Sequence, residues 1–283
     1  MQVRLELVHE AAKGGVANKL HAPLLFVHGA YCGAWCWQQH FLPWFAARGY
    51  DCWAVSLEGH GESEGQDYLA AISIDDYVKN LHDAIQQIGT PPIVIGHSMG
   101  GFVLQQYLTT HTLPAAAFLA SVPPTGLASS SLRLLTETPS LFLKLNMYQH
   151  GMYNPEFYEL RSMLFSADAG DDVIEAMIQH FQPESDRAIM DMAFVNLLGI
   201  RPIPPLPALV LGGGEDALIP AEDVQTTAQL LNVHAEILPN MGHMMMMDTR
   251  WQQVAERLLR WLEVLNIGAE NSSHHPDAAA ALA

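Results

Sequence analysis

The chain has 283 residues, 49% of them hydrophobic and 15% charged, and its 13 basic against 30 acidic residues leave a formal net charge of −17. That composition supplies a large buried core and argues against global disorder. The acidic surplus argues against nucleic acid and anionic membrane surfaces as partners.

In chain order, MQVRLELVHE shows no basic segment leading into an apolar run, so no signal peptide is expected. Leu5 and Leu7 alternate with charged neighbours, the pattern of a half-exposed first strand. Residues 13–21 form a glycine-containing loop, and PLLFVHG (23–29) reads as a buried strand ending at Gly29. WCWQQHFLPWFAARG (35–49) has helical spacing up to Gly49, with Trp35, Trp37, Phe41 and Trp44 expected to pack that helix. DCWAVSLEGHGES (51–63) is a strand running into a glycine-rich loop. In SIDDYVKNLHDAIQQIG (73–89), Ser73 and Asp76 have capping-box spacing and Gly89 is the stop.

PIVIGHS then gives a strand and GGFVLQQYLTTH a helix. AAAFLASV (115–122) and PALVLGGG (207–214) are further buried strands, VQTTAQLL (224–231) is helical, VHAEIL (233–238) is a strand, and WQQVAERLLRWLEVL (251–265) is an amphipathic last helix. Buried strands alternating with amphipathic helices specify an α/β fold: a mostly parallel sheet covered on both faces. The rhythm breaks over 123–202, which is rich in Leu, Met, Phe and Tyr and is expected to be a helical cap inserted between two strands. The core domain is then 1–122 with 203–268, and 269–283 is expected to be a disordered tail. No run of about 18 apolar residues predicts a membrane span. Three cysteines, Cys32, Cys36 and Cys52, are too few and odd in number for a disulfide framework. They point to a reducing cytoplasm, and their spacing proposes no metal site.

One stretch carries chemistry. VIGHSMGGF (94–102) places Gly96-His97-Ser98-Met99-Gly100 between a buried strand and a helix, the context of a nucleophile elbow. A sharp turn lifts Ser98 above the sheet edge, and small residues two before and two after keep the strand and helix from colliding. Ser98 then sits at a helix N-terminus, where free N–H groups favour developing negative charge. A serine hydroxyl needs a base. His243, in NMGHMMMMD after the last strand, lies in a loop that reaches the carboxyl edge of the sheet and follows the chain order Ser…Asp…His. Just past a strand end, LVLGGGEDALIP offers both Glu215 and Asp216 to orient that base. Oxyanion donors are expected from the N–H of Met99 and, in FVHGAYCGAW, of Ala30, where Gly29 permits close approach. His28 is expected as a hydrogen-bonding neighbour of the pocket rather than a catalyst.

With HGAYCGAWCW, LEGHGES, GHSMGG, GGEDALIP and GHMMMMD, the sequence resembles the α/β-hydrolase superfamily over roughly residues 1–268. It looks most like the branch of plant methylesterases and hydroxynitrile lyases with their bacterial relatives. The resemblance implies Ser98 as nucleophile, Asp216 as acid, His243 as base, a helical cap and no cofactor. Lyases of that branch carry threonine where Gly29 stands and lysine after the catalytic histidine. Met244 takes the lysine's place here, which favours ester hydrolysis. A lyase, a C–C hydrolase, a cofactor-free oxygenase and a non-catalytic ligand binder are the alternatives on this fold. The expected partner is a small ester, and its pocket is expected to draw on Leu145, Met147, Met152 and Phe157 of the cap and on Met244, the first of four methionines forming an adaptable apolar wall.

Overall fold

A computed structural model describes residues 3–13, 22–128, 136, 139–149, 152–153, 156–194 and 200–273. Among the described residues seven strands form one sheet: β1 (Glu6–Glu10), β2 (Leu24–Val27), β3 (Cys52–Ser56), β4 (Ile93–His97), β5 (Ala116–Leu119), β6 (Ala208–Gly213) and β7 (Ala235–Leu238). Their order is β1-β3-β2-β4-β5-β6-β7. Only β1 runs antiparallel to its neighbour; the other pairs are parallel. The β1 strand is partly exposed, as its sequence predicts, and so is β7, while β2, β4 and β5 are wholly buried. Most of the loop expected at 13–21 lies outside the described residues.

Alternation along β2 explains the two layers. Leu24 and Phe26 face one apolar cluster, shared with α1 (Trp35–Gln38), α2 (Phe41–Ala46) and α10 (Trp251–Ser273). Leu25 and Val27 face the other, shared with α3 (Ile74–Ile88), α4 (Met99–Leu108) and α9 (Ala221–Leu230). Side chains of successive strand residues point to opposite faces, so a strand buried on both sides is apolar throughout. The α3 N-terminus carries the expected capping box: Asp76 N–H donates to Ser73 Oγ at 3.2 Å and Ser73 N–H to Asp76 Oδ2 at 3.1 Å.

Two elements differ from their expected bounds. The helix expected over 35–49 is two short helices, broken at His40, whose φ/ψ of −129°/−57° is not helical. The cause is Pro43, which has no N–H to donate and would clash with a preceding turn; the break puts it in the first turn of α2. Secondly, α10 continues to Ser273, taking in 269–273 of the expected disordered tail, because nothing in NIGAENSS breaks a helix except the single Gly268. Residues 274–283 lie outside the described residues. No helix among the described residues is long and apolar enough to cross a membrane.

Between β5 and β6 come α5 (Pro139–Gln149), α6 (Phe157–Leu164), α7 (Asp171–His180) and α8 (Asp186–Phe194). Among the described residues this insertion builds no core of its own. Leu160, Met163, Ile174 and Met177 join the first cluster, and Ala188 and Met192 join the second. All three cysteines are free and buried.

Candidate active site

The turn after β4 has the geometry that a serine at a strand end requires. Ser98 has φ 50° and ψ −117°, a conformation side chains rarely adopt, which costs of order 1–3 kcal/mol. Main-chain bonds hold it there: Ser98 N–H donates to Leu119 O at 3.1 Å, and the Phe102 and Val122 N–H groups donate to Ser98 O, each at 3.2 Å. A Cβ on Gly96 would meet Gly100 O at 2.7 Å, and one on Gly100 would meet His28 O at 2.4 Å, so neither position tolerates a side chain. Although Ser98 stands at the N-cap of α4, its hydroxyl makes no capping bond. It is committed instead to His243, whose Nε2 lies 3.1 Å from Ser98 Oγ.

His243 Nδ1 lies 2.8 Å from Asp216 Oδ2. The carboxylate can only accept there, so the proton is on Nδ1 and Nε2 is free to accept from Ser98. Asp216 Oδ1 accepts from the Leu218 and Ile219 N–H groups, both at 2.8 Å, which fixes the carboxylate's orientation. Of the two neighbouring acids, Asp216 faces His243, while Glu215 turns away and accepts from Ala167 N–H at 2.9 Å. His97, next to the serine, is fully buried, and its Nε2–H donates to His243 O at 2.9 Å, anchoring the main chain of that loop. Burial, then the neighbouring His243, pushes the His97 pKa well below its ordinary value. A buried Asp248 secures the loop from the other side, accepting from Gly242 N–H at 3.3 Å and from Ser166 N–H at 2.7 Å. Gly29 packs on the elbow so closely that a Cβ there would lie 2.9 Å from Ser98 Cβ. Neither Ala30 N–H nor Met99 N–H has an acceptor among the described residues. Two unengaged donors flanking a serine, a base and an oriented carboxylate are what acyl transfer requires.

Residues 24–257 match the alpha/beta hydrolase family. The chain belongs to that family. Among curated relatives, the pFDCC methylesterase MES16 of Arabidopsis thaliana is 32% identical over 115 residues, covering 38% of this chain and 42% of that protein. A pyrethroid hydrolase of Sphingobium wenxiniae is 30% identical over 78 residues, covering 28% of this chain and 27% of that protein. The matches thus span less than half the length of either curated relative. A thermophilic esterase from Thermogutta terrifontis shares the fold, with a TM-score of 0.65 at 17% identity over 93% of this chain and 94% of that one.

The other site residues expected for this alpha/beta hydrolase fare unevenly. His28 is fully buried, with Nδ1–H donating to Gly29 O at 2.7 Å and Nε2 accepting from Leu57 N–H at 2.9 Å. With both nitrogens engaged it has no atom to offer a substrate. Burial, then repulsion from His60, lowers its pKa to about 3. Met152, expected in the pocket, is 66% exposed at the turn after α5, where its N–H donates to Met147 O and its side chain faces solvent. Met147 and Phe157 are half-buried, and Phe157 packs on the first apolar cluster. The side chain of Leu145 lies outside the described residues. Met244 to Met247 are all buried in the core, and Met244 N–H donates to Leu164 O at 2.8 Å, so the run packs inward against α6.

A second histidine–carboxylate pair was not anticipated. His60, in the loop after β3, and Glu184, between α7 and α8, have fully buried side chains 3.0 Å apart. His60 Nδ1 is also 3.1 Å from Glu58 O. Both neighbours only accept, so both ring nitrogens carry protons and His60 is an imidazolium. Burial alone would lower its pKa, but the Glu184 charge and hydrogen bond raise it above the ordinary value. Burial likewise opposes the Glu184 anion, yet His60, Tyr77 and Ser185 N–H together hold that carboxyl below its usual value. Its only sequence signal is the acid after a proline in HFQPESD, which reads as an ordinary solvated loop.

Proposed function

We propose that the protein is a serine hydrolase that cleaves a small, uncharged carboxylic ester through an acyl-enzyme. The observation that carries this reading is the continuous chain Asp216–His243–Ser98, with a serine at a helix N-cap that caps nothing. His243 Nε2 takes the Ser98 proton as Oγ attacks the ester carbonyl. The Ala30 and Met99 N–H groups receive the negative charge on the carbonyl oxygen. The C–O bond to the alcohol breaks as His243 returns the proton to the leaving oxygen. Water then attacks the acyl-Ser98 ester, giving its proton to His243, and the acid leaves with Ser98 regenerated. Asp216 holds the imidazole tautomer and stabilises the imidazolium.

The insertion acts as the cap over this centre, with Met147 and Phe157 as its specificity side chains. The names of the methylesterase from Arabidopsis and the esterase from Thermogutta support ester chemistry. Met244 after the base offers no cation for a cyanide leaving group, which disfavours the lyase alternative. A series of p-nitrophenyl esters of graded acyl length, with a cyanohydrin as control, tests the reading. Turnover of the esters, none of the cyanohydrin, and phosphonate labelling confined to Ser98 are the expected results. Labelling elsewhere, or faster cyanohydrin cleavage, overturns it.

A further inference from the structure

The segment Gln182–Ser185 between α7 and α8 makes an unusual set of contacts with two loops of the core. Gln182 N–H donates to Tyr31 O at 3.3 Å, and Tyr31 N–H donates to Glu184 Oε2 at 3.4 Å, so both main-chain groups of Tyr31 are engaged. Gln182 also uses its side-chain amide, with Nε2 donating to Gly59 O at 2.9 Å and Oε1 accepting from Gly61 N–H at 3.0 Å, on either side of His60. Glu184 Oε1 accepts from Tyr77 OH at 2.6 Å, and Ser185 Oγ donates to Ile72 O at 2.5 Å. Tyr31 itself has φ 65°, strained for a residue with a side chain, and it directly follows Ala30. On the far side, the His28 ring is bonded to Gly29 O. The loop 28–31 is thus gripped at its first and last residues, leaving the Ala30 N–H between them unengaged.

We propose that Glu184, paired with His60, is a positioning residue that holds Tyr31 in its left-handed conformation and so aims the Ala30 N–H at the developing oxyanion. This rests on the ester-hydrolysis reading, because only a transition-state oxyanion needs that donor. A group acting in this way loses stabilisation made in the transition state and leaves substrate binding largely intact.

The test compares Glu184→Gln, Glu184→Asp and Tyr77→Phe in the full chain. Glu184→Asp keeps the charge beside His60 but shortens its reach to Tyr31, so it preserves the test should Glu184→Gln not fold. Both Glu184 variants should lose about ten- to a hundredfold in kcat, with KM changed by no more than about twofold. Affinity for a trifluoromethyl ketone, whose adduct with Ser98 carries an oxyanion, should fall in parallel. Affinity for the product acid should not change. Tyr77→Phe touches only the other carboxylate oxygen, so it should lower Tm while leaving kcat within about twofold of wild type. Amide hydrogen exchange at Tyr31 should be faster in both Glu184 variants. Wild-type kcat and ketone affinity in a folded Glu184→Asp, or an equal kcat loss in Tyr77→Phe, overturns the proposal. If the wild type turns over no ester, the functional reading fails separately, and unchanged Tyr31 exchange in the Glu184 variants still overturns the brace.

Discussion

The fold holds two buried histidine–carboxylate pairs. His243 lies 2.8 Å from Asp216, and His60 lies 3.0 Å from Glu184. The pairs differ in what meets the other ring nitrogen. For His243 it is a hydroxyl, which can donate or accept. For His60 it is a carbonyl, which can only accept. In the proposed mechanism the first ring is therefore the one that exchanges a proton with its neighbour, whereas the neighbours of the second hold it as a cation. Under the proposed function, two pairs that each join a histidine to a carboxylate serve as proton carrier and brace according to one neighbouring atom.

Breaking the mobile pair should have the largest effect. Ser98→Ala removes the hydroxyl that makes the first pair useful, and kcat on a good ester should fall by about 10⁶-fold with Tm unchanged within error. Asp216→Asn leaves the shape but spoils the tautomer, and should lower kcat by up to about 10⁴-fold. Glu215→Gln should leave kcat near wild type, since its carboxylate serves Ala167 N–H instead. Steady-state kinetics on one substrate checks all three. Near-normal turnover in Asp216→Asn would erase the distinction between the pairs.

Breaking the locked pair should show first as lost stability. Glu184→Gln strands a buried partner and should cost about 3 kcal/mol, read as a lower Tm. The pH dependence follows from opposite shifts. Stability from the lowered Glu184 carboxyl is complete above its unfolded value and is lost as pH falls through the folded one. Stability from the raised His60 is complete below its unfolded value and is lost as pH rises through the folded one. The Tm gap between wild type and variant should therefore be widest at about pH 5 to 6 and narrow on both sides. A gap independent of pH would mean that the pair is not ionic.

Smaller effects sharpen the boundary between the loop and its supports. A Cβ at position 29 would meet His97 Nδ1 at 2.8 Å and Ser98 Cβ at 2.9 Å. Gly29→Thr should accordingly lower kcat by about ten- to a hundredfold by shifting the elbow. Phe157→Ala in the insertion should alter the ratio of kcat/KM between long and short acyl esters by about three- to tenfold, with little change on the acetate. An equal loss on every ester would assign Phe157 to packing alone.

Much of the sheet and the mobile pair was legible because each rests on short-range rules. Gly96 and Gly100 bracket Ser98 within five residues, and the Ser73–Asp76 cap closes within four. Position past a strand end narrows the acid only to Glu215 and Asp216, and it is the resemblance that points to Asp216, because which of the two faces His243 depends on how the turn after β6 is tied down. The locked pair was illegible for a different reason. Glu184 meets His60 across 124 residues, and nothing near either one marks it as buried. The break between α1 and α2 was visible in principle through Pro43, but the apolar period of the aromatic residues overrode it.

The buried thiols of Cys32, Cys36 and Cys52 have a practical consequence. Thiolates, not thiols, react with alkylating reagents. Burial, and for Cys36 a hydrogen bond with Cys32, pushes the Cys36 thiol well up, and burial does the same for Cys52. Native alkylation must therefore wait for the chain to open, so its rate reports an opening equilibrium rather than surface chemistry. The three sulfurs sit at informative places: Cys32 just after loop 28–31, Cys36 in α1 and Cys52 at the head of β3. Iodoacetamide uptake at each, followed by mass, would time three separate breathing motions without adding a single probe.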